Sequence, residues 1–239
     1  MSGSQCCENP PSLSSSSGAG QVQEFGGLTS YVSGPADSSS AVILVSDVFG
    51  FEAPNLRKLA DKVAAAGFYT VVPDFLHGDP YVPVPEKPFS IWIKDHGPFT
   101  SFKQFHLFVK QNKLSYFIHC RPFEYNFVIA KVVVELAKYA YIQAGVLLHP
   151  SFVSLEDIQG VKVPISVLGA EIDQMSPPEL LKQFEAALNA KPEVEGFVKI
   201  FPGVSHGWSV RYKDDDELEV KSAEEAHKDM LDWLVKHLK

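Results

Sequence analysis

The sequence is short of cysteine, of basic residues relative to acidic ones, and of long apolar runs, and each shortage removes a class of protein. Three cysteines, Cys6, Cys7 and Cys120, are too few and too unevenly spread for a disulfide framework, and adjacent Cys6 and Cys7 have no downstream partner at metal-ligand spacing. A reducing compartment fits this usage, so the expected localisation is cytoplasmic. Lys and Arg number 21 against 29 Asp and Glu, a net charge of −8 that repels a phosphate backbone, and no nucleic-acid partner is expected. No apolar run approaches the ~18 residues of a membrane span, and no membrane partner is expected. The opening MSGSQCCENPPSLSSSSGAG has neither the apolar core of a signal peptide nor an Arg-rich transit pattern. What remains is a chain of 239 residues, 45% hydrophobic and 21% charged, enough for one sizeable core.

Residues 1–24 read as a flexible Ser-rich tail, in which Cys6 and Cys7 are either acylation sites or simply tail residues. Residues 25–239 read as a single domain. Leu28–Ser33 is strand-like, and Ala41–Ser46 is a continuous apolar run rich in β-branched residues, the pattern of a strand buried on both faces. Pro54 then suits a first helical turn, and Leu56, Leu59, Ala60, Val63 and Ala64 recur at helical spacing until Gly67 stops the helix before the strand Tyr69–Pro73. Strands over 144–149, 163–169 and 196–201 alternate with helices over 130–139, 177–189 and 222–237. That alternation specifies an α/β fold, a doubly wound and mainly parallel sheet. One stretch stands apart: Phe99–Phe127 holds seven phenylalanines, one acidic residue and no glycine, with a period ambiguous between helix and strand.

The ends of parallel strands are where such folds place their sites. Asp173 follows one expected strand and His206 the next, and acid before histidine is the second half of a nucleophile, acid, base order. The chemistry needs a histidine because its pKa lies near neutrality, and a buried carboxylate to fix its tautomer. Taken singly, Asp173 reads as a helix cap and His206 as a turn histidine; at successive strand ends they read together as a catalytic pair. After the first parallel strand, Ser46–Gly50 forms a loop whose amides can face an oxyanion, although Asp47 there also reads as a plain helix-entry carboxylate. Arg211 reads as solvated or as a ligand for a substrate carboxylate, His149 as a satisfied turn histidine, and Lys213–Glu219 as a solvated charged run.

These stretches resemble the dienelactone hydrolase family of α/β-hydrolases, and within it plant members labelled endo-1,3;1,4-β-glucanase-like. The resemblance is carried by Cys6-Cys7-Glu-Asn-Pro-Pro, Val45–Gly50, Ala53–Ala60, Val72–Phe75, Gly78–Pro80, Lys94–Gly97, Lys131–Lys138, Leu147–Pro150, Val167–Ala170 with Asp173, and Pro202–Trp208. It covers nearly the whole chain except about 99–129. It implies an α/β-hydrolase that cleaves small esters or lactones without metal or organic cofactor. It also implies a cysteine nucleophile, Asp173 as acid, His206 as base, Asp47 poising the nucleophile and the Val48 amide as oxyanion donor.

The nucleophile itself departs from the pattern. The family's Gly-x-Cys-x-Gly precedes the helix that begins here near Ala130, and that register puts Phe127 at the nucleophile, with Tyr125 and Ile129 where glycines belong. Cys120, flanked by Ile118 and Pro122 and about seven residues too early, reads as a passive core residue rather than a displaced nucleophile. A frame-shifted or alternatively spliced exon gives such a replacement of pattern at nearly constant length. Two functions follow: an acyl hydrolase by descent whose nucleophile is missing in this chain, or a non-catalytic relative that binds a small molecule or partner. Glycoside hydrolysis needs two carboxylates flanking the bond, and the strand-end carboxylates nominated for it are Asp47 and Asp173.

Overall fold

The computed structural model describes residues 5–96 and 129–239. The chain divides into two units, Met1–Ser115 and Tyr116–Lys239. Phe99–Phe127, with Cys120, Tyr125 and Phe127, lies outside the described residues.

In the first unit, Gln21–Phe25 (β1) and Leu28–Ser33 (β2) form an antiparallel hairpin. Its turn passes through Gly26 and Gly27 at φ 62° and 80°, a left-handed pair that residues with a Cβ adopt only at a cost. Ala41–Ile43 (β3) and Tyr69–Pro73 (β4) pair in parallel, β2 pairs antiparallel to β4, and the order is β1-β2-β4-β3. The first parallel strand is shorter than its apolar run suggested, ending at Ile43 rather than Ser46, although Leu44 still donates to the Val71 carbonyl. Between them Pro54–Ala65 (α1) starts with proline in its first turn, where a missing N–H costs nothing, and buries Leu56, Leu59, Ala60, Val63 and Ala64 as their spacing predicts.

The boundary expected at residue 25 does not hold. β1 begins at Gln21, and Ser14–Ala19 is tied to α1 because Arg57 is buried in that helix. Its Nη1 donates to the Ser15 and Ser17 carbonyls at 2.8 and 3.2 Å, its Nε to Phe51 at 2.9 Å, and its plane lies 4.8 Å from the Tyr31 ring centre. Asp61, one turn further along α1, accepts from the Ala19 amide, the Ser33 hydroxyl and the Tyr31 hydroxyl. Burial and that last bond push the Tyr31 phenol up to about 12.

After β4, Asp74 accepts the Leu76 and Gly78 amides and shapes the turn into the Pro-rich loop. Phe89–Asp95 (α2) follows. Its Trp92 packs with Phe49, Leu76 and Tyr81, and half-buried Cys7 lies against this aromatic cluster.

In the second unit Gly145–Leu148 (β5), Ile165–Ile172 (β6) and Gly196–Ser205 (β7) form an all-parallel sheet in the order β5-β6-β7. Helices Ile129–Lys138 (α3), Leu155–Gly160 (α4), Pro178–Asn189 (α5) and Glu217–Leu238 (α6) accompany it. The core is Val134, Leu147, Ile158, Ile165, Val167, Leu181, Phe184 and Leu188, drawn from α3, α4, α5 and the two strands β5 and β6. The apolar stripe of α6, Ala226, Met230, Trp233 and Leu234, is buried. Helix α6 starts five residues before its expected position: Asp216 accepts the Leu218 and Glu219 amides, so part of the charged run Lys213–Glu219 caps a helix rather than only facing water. Helix α4 was not anticipated. Ser154 and Asp157 close a capping box on it, and buried Asp157 also receives Lys131 and Lys138 from α3. Burial alone would raise the Asp157 carboxyl, but the two ammonium groups hold it down at about 2.

Strands alternate with helices and the pairings β3–β4, β5–β6 and β6–β7 are parallel, so the fold is α/β. Among the described residues no helix is long and apolar enough to cross a membrane.

Candidate active site

The three strands of the second sheet end beside one another, and the residues just past each end meet. At the end of β6 the chain turns at Asp173, whose Oδ1 accepts the backbone N–H groups of Met175 and Ser176 at 2.7 and 3.2 Å. The other oxygen, Oδ2, lies 2.8 Å from His206 Nδ1 at the end of β7, and both residues are buried. Burial would raise the Asp173 carboxyl, but the His206 hydrogen bond and the two amides more than offset it, so the group is held below the usual carboxylate range. An ionised Asp173 accepts only, which places a proton on Nδ1 and leaves Nε2 as the ring's acceptor.

At Nε2 the third strand end appears. Ser151, two residues beyond the His149 that follows β5, is 2% exposed and holds its Oγ 3.3 Å from His206 Nε2. Its neighbours Pro150 and Phe152 do not mark this serine as a nucleophile in the sequence. The signal that finds it is position: it follows the strand next to the one that carries Asp173.

The loop after His206 is fixed from behind. Gly207 takes φ 88°, and a Cβ there would meet the Arg211 guanidinium at about 2.0 Å, so only glycine fits. His227 of α6 donates through Nε2 to the Ser209 carbonyl at 2.7 Å, tying that loop to the long helix. Trp208 packs edge-on to His149, and His149 edge-on to His206, with ring centres 5.6 and 5.0 Å apart.

Two readings of this loop are corrected. Arg211 is buried rather than solvated, because it packs over Gly207. His149 is not a satisfied turn histidine: its Nε2 is buried with no hydrogen-bond partner among the described residues, and its backbone is left-handed at φ 41°. Burial, then the His206 ring and the Arg211 charge, push its pKa well below the usual imidazole value, so it is neutral at physiological pH.

Of the residues singled out in the sequence, Asp173 and His206 are brought together. Asp47 and Val48 belong to the first unit, on the turn after β3. There Asp47 Oδ1 accepts the Phe49 amide at 2.9 Å and its carbonyl accepts from Gly50, while the Val48 carbonyl accepts from Tyr81. The register that puts Phe127 at the nucleophile falls outside the described residues. Among the described residues no group of three or more His, Cys, Asp or Glu could hold a metal ion.

The model of the dienelactone hydrolase family matches residues 28–117 and 128–238. The chain belongs to the dienelactone hydrolase family. Within that family it is 40% identical over 198 residues to a maize (Zea mays) protein named endo-1,3;1,4-beta-D-glucanase, a match covering 80% of this chain and 64% of that protein. It is 32% identical to the carboxymethylenebutenolidase homolog of Xenopus tropicalis, covering 92% of this chain and 91% of that one. Among solved structures, the dienelactone hydrolase of Anabaena variabilis superposes with a TM-score of 0.59 at 13% identity, over 92% of this chain and 97% of that chain. A dienelactone hydrolase-like promiscuous phosphotriesterase from metagenomic libraries gives 0.63 at 15% identity, over 93% and 100%. These two likenesses show the fold. The dienelactone hydrolase match breaks off over 118–127, inside the 99–129 stretch read as unlike the family and across both Cys120 and Phe127.

Proposed function

We propose that this chain is a carboxylesterase-like hydrolase of small esters or lactones, in which His206 is the general base and Asp173 the acid that orients it. The observation that carries the reading is the buried 2.8 Å contact between Asp173 Oδ2 and His206 Nδ1 at successive strand ends. With Nδ1–H committed to the carboxylate, Nε2 is the ring nitrogen that receives a proton from a nucleophile, and Asp173 stabilises the imidazolium that forms. Family membership supports hydrolase chemistry. The buried Arg211 beside His149 favours a substrate with an anionic group. Val48 as oxyanion donor and Asp47 as the group that poises the nucleophile rest on the match over Val45–Gly50. The family's Cys-Asp-His triad lacks its thiol here, since the register puts Phe127 in its place. The cysteine usage supports a cytoplasmic setting.

A second reading, a binding protein without turnover, is favoured by that phenylalanine alone. The name of the maize relative does not carry over. Asp173 already serves two amides and a histidine, which leaves it no part in the carboxylate pair that glycoside cleavage requires.

The test is turnover of p-nitrophenyl acetate by the purified chain, by His206→Ala, and by a variant carrying Y125G, N126F, F127C, V128W and I129G. Loss of turnover in His206→Ala supports the base. Activity of His206→Ala equal to the parent overturns it, and binding of esters by every variant with turnover by none favours the second reading.

A further inference from the structure

In the second unit Ser151, a residue outside the family's pattern, stands beside His206. We propose that Ser151 is the nucleophile of this chain, so that Ser151, His206 and Asp173 form a serine triad acting on small ester or lactone carbonyls. This rests on the reading of His206 and Asp173 as base and acid, and deepens it by naming the group they activate.

Three observations converge. The first is distance: Ser151 Oγ lies 3.3 Å from His206 Nε2, within the slightly long range common before substrate tightens a site. The second is the direction of the proton. Asp173 holds the Nδ1 side of the ring, so Nε2, the nitrogen that faces Ser151 Oγ, is the one placed to take the serine's proton when the ring is neutral. The third is topology. Residues 151, 173 and 206 follow β5, β6 and β7, three neighbouring parallel strands, in the order nucleophile, acid, base that α/β-hydrolases use. The serine lies between two residues with left-handed backbone, His149 (φ 41°) and Phe152 (φ 55°).

The steps balance without any further reactant. Ser151 Oγ gives its proton to His206 Nε2 as it forms a bond to the carbonyl carbon. The carbonyl π pair moves onto oxygen and then returns, breaking the bond to the leaving oxygen, which takes the proton from Nε2. A water then gives a proton to Nε2 and its oxygen bonds to the acyl carbon. The Oγ–carbon bond breaks, Ser151 recovers the proton, and the carboxylic acid leaves. A hydroxyl, unlike a thiol, is hardly ionised near neutrality, so attack by Ser151 requires concurrent transfer to His206.

The test treats the full chain, Ser151→Ala, Ser151→Cys and His206→Ala with a fluorophosphonate. The modified residue is mapped by mass spectrometry, p-nitrophenyl acetate turnover is measured in parallel, and thermal unfolding checks that each variant is folded. The expected result is phosphonylation of Ser151 in the full chain with loss of fluoride, and none at that residue in His206→Ala. Turnover falls by about 10³-fold in folded Ser151→Ala. Ser151→Cys becomes sensitive to iodoacetamide, with the adduct at residue 151. Folded Ser151→Ala that keeps its turnover while His206→Ala loses it overturns the proposal and leaves the acid and base standing. Turnover that survives in His206→Ala overturns both. A folded chain with no phosphonate on Ser151 overturns the nucleophile.

Discussion

The two units bury polar side chains for opposite ends. In the first, Arg57 and Asp61 point back at the chain itself: carbonyls of Ser15, Ser17 and Phe51, the amide of Ala19, the hydroxyls of Tyr31 and Ser33. Each of these bonds ends on backbone or on a neighbouring hydroxyl, while Arg57 Nη2 is buried with no hydrogen-bond partner among the described residues, and the result is a clamp on residues 14–19. In the second unit Asp173, His206 and Ser151 form an open-ended relay. Backbone amides fill one oxygen of Asp173, the histidine spans the gap, and the last member is a hydroxyl whose proton can leave. A buried polar network that closes on backbone holds a shape, whereas one that ends on a transferable proton can do chemistry. The capping carboxylate Asp157 shows that the second unit contains closed networks too.

Substitutions sharpen this contrast. The largest effect is expected in the relay: His206→Ala lowers p-nitrophenyl acetate turnover by about 10³- to 10⁴-fold while moving the urea midpoint little, and a large drop in stability with turnover intact would place this pair among the closed networks. Next comes the clamp. Arg57→Ala removes a buried cation and its three carbonyl bonds and destabilises the fold by about 3 kcal/mol in chemical unfolding, without a specific loss of turnover per folded molecule. An unchanged unfolding midpoint would mean that residues 14–19 are held by something else.

Asp157→Asn costs about 2 kcal/mol, and the loss depends on pH. The carboxyl titrates at about 2 in the folded chain against 3.8 as a reference, so its stabilisation is fully present above about pH 4 and disappears as the pH falls through 2. Unfolding curves of parent and variant should therefore converge in acid, and a constant gap down to pH 2 would contradict the ion pairs. His149 runs differently. Its folded pKa is depressed, so the unfolded chain binds the extra proton, and stability falls as the pH drops below about 6.5. His149→Gln should flatten that limb of the curve between pH 5 and 7. The smallest effect is expected at Asp47→Ala, about 1 kcal/mol from the lost Phe49 turn bond; a fall in turnover beyond what unfolding explains would add it to the relay.

Much of this architecture was legible in one dimension. The run from Ala41, read as buried on both faces, buries Val42 and leaves Ala41, Ile43, Leu44 and Val45 half-buried, whereas the helical spacing from Leu56 to Ala64 and the stripe on α6 report burial directly, because period and hydrophobicity are local properties. The same holds for Asp173 and His206, each marked by its place just after a strand. Helix α4 escaped notice because six residues are too few for a period, and its evidence is a capping box that becomes visible only when Ser154 and Asp157 are seen to exchange hydrogen bonds. Residues 14–19 looked like a free tail because serine, glycine and alanine carry no apolar signal, and what holds them is an arginine some forty positions away.

By itself, then, the sequence determined the α/β class, the family and the two strand-end residues that the structure brings into contact, Asp173 and His206, since these rest on periodicity, strand-end position and short motifs. The tertiary structure alone decided three things: that Arg211 is buried, that His149 Nε2 is buried with no hydrogen-bond partner among the described residues, and that Ser151 Oγ lies 3.3 Å from His206 Nε2. Contacts between residues 55 positions apart are set by strand order and by a turn of one or two residues, and neither is encoded in local pattern.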